Sequence, residues 1–423
     1  MNKLKNISKK WWFFGLIIGV FLRLILMPIT SHPDLWGHSF TAYFLAYEGK
    51  LNPYQYMQDL PADYPLVKNI GISDIFIYPP LTYFTIGFFR VLVKPFVDPN
   101  FLPWLMENMS HVYERKDLFS ILFLFKLPYL FIDILVGFLL AALFDDVKKK
   151  KSLFLFWMLN PVTLYATFMM GQLDILPVLF TVLSLYFAKK GKNTLSLLSL
   201  GIGGSYKMYP LFFIVPAAFL FNKDLKSRIK NILIGFLPFI LTTLPYLPSP
   251  AFRNMVLFQA KSQKMLYMVW NVSGAEGIYP FIIGIIFIYC LSFYQSNKEK
   301  LVDYFLSILL LTLMVTHYHP QWFIWVIPFL IYKVVEQKDK ILFTLILFAS
   351  WLIITLLFEP SLSVGLFSPI IPAVRTFTGF TDLLAKFTDI NRFKSIVRSV
   401  FAGVSLFWIV QMFWRQNFSK DQR

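Results

Sequence analysis

Asp34 sits in the stretch Thr30-Ser31-His32-Pro33-Asp34-Leu35-Trp36, just past an apolar run that starts at Trp11. A carboxylate there can take a proton from an attacking hydroxyl. It can equally cap a helix, because an aspartate ahead of an apolar-periodic run satisfies free backbone N–H groups. Gln172 and Asp174 stand in Gly171-Gln172-Leu173-Asp174, at the start of another apolar run, and the neighbouring glycine favours a cavity lining. Asp133 lies mid-run, about two turns beyond Lys126. Ionisable groups inside membrane segments are costly and face a bundle interior or a cavity, so Asp133 is either a structural ion pair or a functional group. Lys207 follows Gly203-Gly204-Ser205-Tyr206, and His317 and His319 lie in Thr316-His317-Tyr318-His319-Pro320-Gln321-Trp322. A lysine and two histidines that converge would hold a phosphate through charge and N–H donors. Zinc is the alternative for the histidines, but it needs three or four ligands. The other histidines are only His32, His38 and His111, so no metal site is expected.

Other chemistries leave no trace. There is no Gly-rich phosphate loop, nucleophile elbow, zincin motif or dinucleotide fingerprint. The single cysteine, Cys290, lies within an apolar run, which excludes a disulfide framework and a thiolate zinc site. No cofactor is expected; a divalent metal is compatible with the residue types but not indicated by them.

The elements that position these groups must cross a membrane. Of 423 residues 57% are hydrophobic and only 15% charged, with 48 Phe, 21 Tyr and 11 Trp. A soluble globule carries about a quarter charged residues, and this chain has too few to cover its surface. Apolar runs of spanning length recur from Trp11 to Val410, so the chain is expected to be an all-α, polytopic membrane protein at the cell membrane, forming one domain over residues 1–423. The net charge of +17 comes from 40 basic against 23 acidic residues. The basic residues cluster between apolar runs, as cytoplasmic loops do, rather than forming a stripe with exposed aromatics, and nucleic acid is excluded as a partner. Trp11–Pro28 lacks a small-residue cleavage site and is expected to remain as a first helix.

Basic clusters at Lys3–Lys10, Lys148–Lys151, Lys189–Lys192, Lys223–Lys230, Lys298–Lys300, Lys333–Lys340 and Arg415–Arg423 mark the cytoplasmic side. Between them lie thirteen apolar segments, from 11–29, 79–94 and 119–144 through 152–169, 174–188, 194–205 and 209–221 to 395–413. An odd number puts the two basic termini on opposite sides. The error falls in 79–118, which re-enters or crosses twice unless the four lysines face outward, and eleven to thirteen helices are expected. The runs between Lys151 and Lys223 are short for full crossings, which need about twenty residues. They also hold Asn160-Pro161, Gly171-Gln172 and Gly203-Gly204 near their middles, as broken helices facing a cavity do. The first external loop, residues 30–78, is long. Its apolar positions Leu35, Trp36, Phe40, Tyr43, Phe44 and Tyr47 have helical spacing and predict an interfacial helix. External loops 247–277 and 359–394 carry Arg253, Lys261, Lys264, Arg375, Lys386, Arg392 and Lys394 against the positive-inside bias, either as tolerated charges or as an anion site.

These residues together resemble the multipass glycosyltransferases that use a polyprenyl-phosphate sugar, the GT-C class, with mannosyltransferase-like members nearest. The resemblance rests on His32-Pro33-Asp34-Leu35-Trp36-Gly37-His38, Ala46-Tyr47-Glu48-Gly49-Lys50-Leu51-Asn52-Pro53-Tyr54 and Tyr78-Pro79-Pro80-Leu81. It continues through Lys126-Leu127-Pro128 with Asp133, Asn160-Pro161, Gly171-Gln172-Leu173-Asp174, Tyr206-Lys207-Met208-Tyr209-Pro210 and His319-Pro320-Gln321-Trp322. It implies an inverting transfer of a hexosyl residue, mannosyl by the nearest members, to a lipid-linked glycan or glycolipid on the extracytoplasmic face, with Asp34 as general base. Gln172 and Asp174 would face the sugar or acceptor, and Lys207, His317 or His319 would hold the donor phosphate. Adjacent paired acidic residues are missing beside Asp34, so the second carboxylate falls to Asp174, with Glu48 next. The alternative is a transporter or glycolipid flippase, which would also show broken helices and buried charges.

The topology is open to direct measurement. Positions 189, 226, 298 and 338 are expected on the cytoplasmic side, and 34, 259, 317 and 375 on the external side. Single cysteines introduced into a Cys290→Ser background and probed with a membrane-impermeant thiol reagent test this; labelling of position 338 from outside would overturn the scheme.

Overall fold

Apolar runs become helices here, and they stop where glycine, proline or Asn-Pro interrupts them. The computed structural model describes residues 10–72 and 75–418. Residues 3–9 and 419–423 of the two terminal basic clusters lie outside the described residues. α1 (Phe13–Ile29) is followed at once by α2 (Pro33–Ala46), bent by 82° from it. The helix expected from the spacing of Leu35 to Tyr47 is thus α2. Next come α3 (Pro80–Val93), α4 (Leu118–Ala141) and α5 (Val147–Met158), the last running on through Pro161–Thr163 and a π-helical turn at Leu164–Met169. α6 (Ile175–Lys189), α7 (Asn193–Gly204), α8 (Ile214–Phe221) and α9 (Leu225–Thr243) form the middle of the bundle. α10 (Pro280–Phe293), α11 (Leu301–Val315), α12 (Ile327–Glu336), α13 (Ile341–Leu356) and α14 (Ile390–Phe418) complete it. The only strands among the described residues are Trp270–Asn271 and Gly277–Ile278, paired antiparallel. The protein is an all-α, multi-pass membrane protein.

Five helical stretches are each long and apolar enough to cross a membrane: Leu118–Ala141, Val147–Met169, Leu225–Tyr246, Lys338–Leu356 and Ile390–Phe413. The bent pair of α1 and α2 makes a sixth if taken as one span. The expectation of eleven to thirteen therefore is not met by full-length helices. The remaining apolar segments are short, α6 and α10 among them, as the broken runs between Lys151 and Lys223 implied.

The apolar side chains divide into two cores. One fills the helical bundle from α4 to α14. The other joins α2, α3, the short helix Phe101–Glu107, the start of α4 and residues 251–256. α3 belongs to this second core and lies along α2: Arg90 donates from Nη2 to Ser39 Oγ at 2.9 Å, and Tyr83 Oη donates to the Lys50 carbonyl at 2.5 Å. Segment 79–94 is therefore a 14-residue helix packed along α2, with Phe88, Val91 and Leu92 left exposed.

Charge inside the bundle is structural. Asp133 pairs with Arg23 at 2.6 Å, both fully buried, and Arg23 also donates to the carbonyls of Gly19 and Met158. Lys126, the nearer lysine in sequence, has another task. Its buried ammonium donates to the carbonyls of Met27 at 3.0 Å, Thr30 at 2.6 Å and Met169 at 3.1 Å. Those carbonyls end α1 and the π-helical turn, where helix dipoles concentrate negative charge. One cation thus ties together the two chain breaks that precede Asp34 and Gln172.

Lys126→Met is expected to destabilise the protein by about 3 kcal/mol or more, since buried carbonyls lose a charged donor. Thermal unfolding in detergent measures this. A loss within about 0.5 kcal/mol, as for an ordinary surface change, would mean that the lysine does not hold the breaks.

Candidate functional site

The break between α1 and α2 sets the first wall of the site. His32 is the N-cap of α2: its Nδ1 accepts from the Asp34 backbone N–H at 3.1 Å, and Pro33 takes the first helical position, where no N–H is needed. Asp34 is thus not the cap, and its carboxylate lies 3.7 Å from the His32 ring nitrogen with 44% of the side chain exposed. Gln172 Nε2 donates to Asp34 Oδ2 at 2.5 Å. Gly171 makes this reach feasible. Its φ is +77°, and a Cβ there would lie 2.9 Å from Leu35 Cδ1, so only glycine brings Gln172 this close to α2. Burial pushes the Asp34 carboxyl up, but His32, His38, the Gln172 N–H and His319 outweigh it and hold the group below the usual carboxylate range.

The second wall is built on a buried ion pair. Asp174, fully buried at the start of α6, accepts on Oδ1 from Lys207 Nζ at 2.7 Å and from Trp325 Nε1 at 2.5 Å. The Lys207 ammonium also lies 4.9 Å from the Trp325 ring centre, 5.4 Å from Tyr78 and 5.7 Å from Trp322. Trp325 stacks between Tyr209 at 4.4 Å and Trp322 at 4.8 Å. Aromatic faces attract cations, so these rings help hold the lysine beside its carboxylate.

Between the walls is a cavity of about 430 Å³. Asp34, His38, Tyr78, Lys207, Lys264, His319 and Trp322 line it, with Lys261 at its edge. Lys264 leans over the Trp322 ring at 5.7 Å with no carboxylate beside it among the described residues. Burial, then Lys264, pushes the His319 imidazole down to about 4, against the pull of Asp34, so it is neutral at pH 7 and offers one ring N–H.

The residues singled out by sequence divide into three groups. Asp34, Lys207 and His319 share the cavity. Gln172 and Asp174 sit behind its walls, where they hold Asp34 and Lys207 rather than face a ligand. Glu48 and His317 are elsewhere. Glu48 accepts from Tyr56 Oη at 2.7 Å beyond the far end of α2. His317 lies across Phe358 from His319, in a separate cavity of about 410 Å³ with Lys394 and Arg398. Of the basic external residues, Arg253 donates to the carbonyls of Leu247 and Pro248, and Arg375 to that of Ser110; only Lys261 and Lys264 reach the site. His38 was not singled out. Its position four residues after Asp34 on a helical run puts both on one face, and that spacing was the available signal. Among the described residues no three His, Cys, Asp or Glu side chains are grouped to hold a metal ion.

Lys207→Met strands the buried Asp174 carboxylate and is expected to cost about 3–5 kcal/mol of stability. Asp174→Leu in the same chain should recover more than half of that. A double-mutant cycle by thermal unfolding measures the coupling; additivity within about 0.5 kcal/mol would show the two side chains to be independent.

The comparisons with known proteins bear on what this arrangement serves. No curated protein matches the chain. One family model, described as "GPI transamidase subunit PIG-U", matches residues 99–371. The matched stretch holds Gln172, Asp174, Lys207, Lys264, His319 and Trp322, while Asp34 and His38 precede it. This finding overturns the expectation of hexosyl transfer and its flippase alternative: the family is that of a transamidase subunit, not a glycosyltransferase, and it gives no support to the polyprenyl-phosphate sugar donor or the glycan acceptor. With more than half of its length matched, the chain belongs to the PIG-U family of GPI transamidase subunits.

Proposed function

We propose that this chain is the lipid-holding membrane subunit of a transamidase assembly, and that its external cavity grips the phosphate-bearing head of a glycosylated phosphoinositide. The observation that carries this reading is the composition of the cavity lining. It presents Lys264, Lys261, Lys207, two imidazoles and the faces of Trp322 and Tyr78, and among the described residues it holds no serine, threonine or cysteine. Cations and N–H donors suit a phosphate diester, aromatic faces suit sugar rings, and Asp34 can accept from sugar hydroxyls. A transamidation needs an acyl-accepting nucleophile. Cys290, the lone cysteine, lies in the last turn of α10 and is not part of this lining. The bond-making groups therefore come from a partner subunit and from the lipid's own amine, and this chain supplies the grip and the orientation.

Within the cavity Lys264 carries the phosphate contact. Lys207 is already answered by Asp174 and acts as a wall, whereas Lys264 faces only the Trp322 ring and other lysines. Lys264→Gln is expected to weaken binding of a glycosylated phosphatidylinositol by about 10- to 100-fold, the scale of one lost charge-assisted hydrogen bond, while the fold stays intact. Equilibrium binding to protein in nanodiscs, with plain phosphatidylinositol and a neutral diacylglycerol glycoside as comparison ligands, measures it. Equal affinity of wild type and Lys264→Gln for the glycosylated phosphoinositide would remove the lysine from the site, and failure of the wild type to prefer that lipid over the neutral glycoside would overturn the reading.

A further inference from the structure

Arg90 presents a separate electrostatic problem. It lies on α3 inside the second core, 6% exposed, between α2 and α4. Nη2 donates to Ser39 Oγ at 2.9 Å, and the guanidinium lies flat against the Phe125 ring at 3.0 Å from its centre. Its Nε and Nη1 are buried and find no acceptor among the described residues. No carboxylate lines the space around it. Burial pulls the guanidinium down to about 9, so it keeps its charge at neutral pH. The other buried cations are all answered, Arg23 by Asp133, Lys207 by Asp174, Lys333 by Asp303 and Lys126 by several carbonyls. Arg90 has one hydroxyl and one ring face.

A small crevice adjoins those two free donors. Its volume is about 20 Å³, enough for one particle the size of a water or a halide. Ser39, Ile86, Phe89 and Leu124 close it on the apolar side, and His38 enters from the other side. His38 also lines the Asp34 cavity, and its Nδ1 is buried without a partner. In its Nδ1–H tautomer it adds a third donor. Three N–H donors and one net positive charge, with Tyr129 beside them and no carboxylate in the lining, make a site that favours an anion over a water, because a water brings only a dipole to a charge that has lost its solvent. The volume excludes sulfate, phosphate and carboxylates.

We propose that a single halide ion, chloride in practice, binds between Arg90 and His38 and acts as the counter-ion that locks α2, α3 and α4 together. The stability of the outer core then depends on chloride, apart from any lipid in the neighbouring cavity.

The test is thermal unfolding of the purified full chain in detergent, with sodium chloride titrated against sodium gluconate at constant ionic strength. A saturable rise of about 2 °C or more in the unfolding midpoint is expected, as for a ligand bound only by the folded state. Bromide should reproduce it, while sulfate should give no saturable effect. Arg90→Met should abolish the chloride dependence, and Lys264→Gln, at the rim of the neighbouring cavity, should retain it. A wild-type midpoint indifferent to chloride, or a chloride effect that survives in Arg90→Met, would overturn the proposal. Should Arg90→Met fail to fold, crystals of the wild type grown in bromide decide by anomalous scattering: a peak within hydrogen-bond distance of Arg90 Nε or Nη1 supports the site, and no peak there overturns it.

Discussion

The Lys126 ammonium is the contact on which the rest of the external site depends. Two helices that stop at the same depth leave their last carbonyls facing one another without water. A lone positive charge between them satisfies both ends and draws them together. Because the carbonyls belong to Met27, Thr30 and Met169, the chain that leaves each end starts from a fixed point. His32 and Asp34 follow on one side, Gly171 and Gln172 on the other. The 2.5 Å bond between Gln172 and Asp34 is a consequence of that shared anchor, reached with the left-handed turn that Gly171 alone allows.

A second constraint is the handling of charge. Inside the bundle each buried ion meets an opposite charge or a set of carbonyls, and these contacts define walls instead of binding groups. Asp174 is the clearest case. Fully buried, it spends one oxygen on Lys207 and Trp325, so the rigid corner of the cavity is a carboxylate that the ligand never meets. Lys264 and His319, reached from loops, are the softer side. A ligand that enters between a fixed wall and a loop-borne lysine can be gripped without disturbing the helices.

Fold class and the helix that is α2 were legible because they rest on composition and on period, which need no partner. The cavity was half legible. Asp34, Lys207 and His319 could be placed by residue type and by their position at the outer ends of apolar runs, and all three line it. Glu48 and His317 could not be excluded in the same way, since nothing in a sequence says that Tyr56 will take the one or that Phe358 will screen the other. The partner of Asp133 was not legible for a related reason: Arg23, 110 residues away, becomes a neighbour only through packing. Segment 79–94 looked like a span because its hydropathy is that of one, yet it is only 14 residues long and packs along α2.

The functional misreading has a physical origin as well. A carboxylate, a lysine, imidazoles and tryptophans above an apolar bundle are what any protein needs to recognise a phosphorylated glycolipid at the membrane surface, whether it then cleaves a glycosidic bond or only presents the lipid. Residue types therefore report the ligand class more faithfully than the reaction. What separates the two outcomes is the freedom of the carboxylate. A general base must be able to accept a proton from the nucleophile in the transition state. Asp34 instead takes a short hydrogen bond from Gln172 and is held below the ordinary carboxylate range by its surroundings, which makes it a poorer base and a better fixed acceptor.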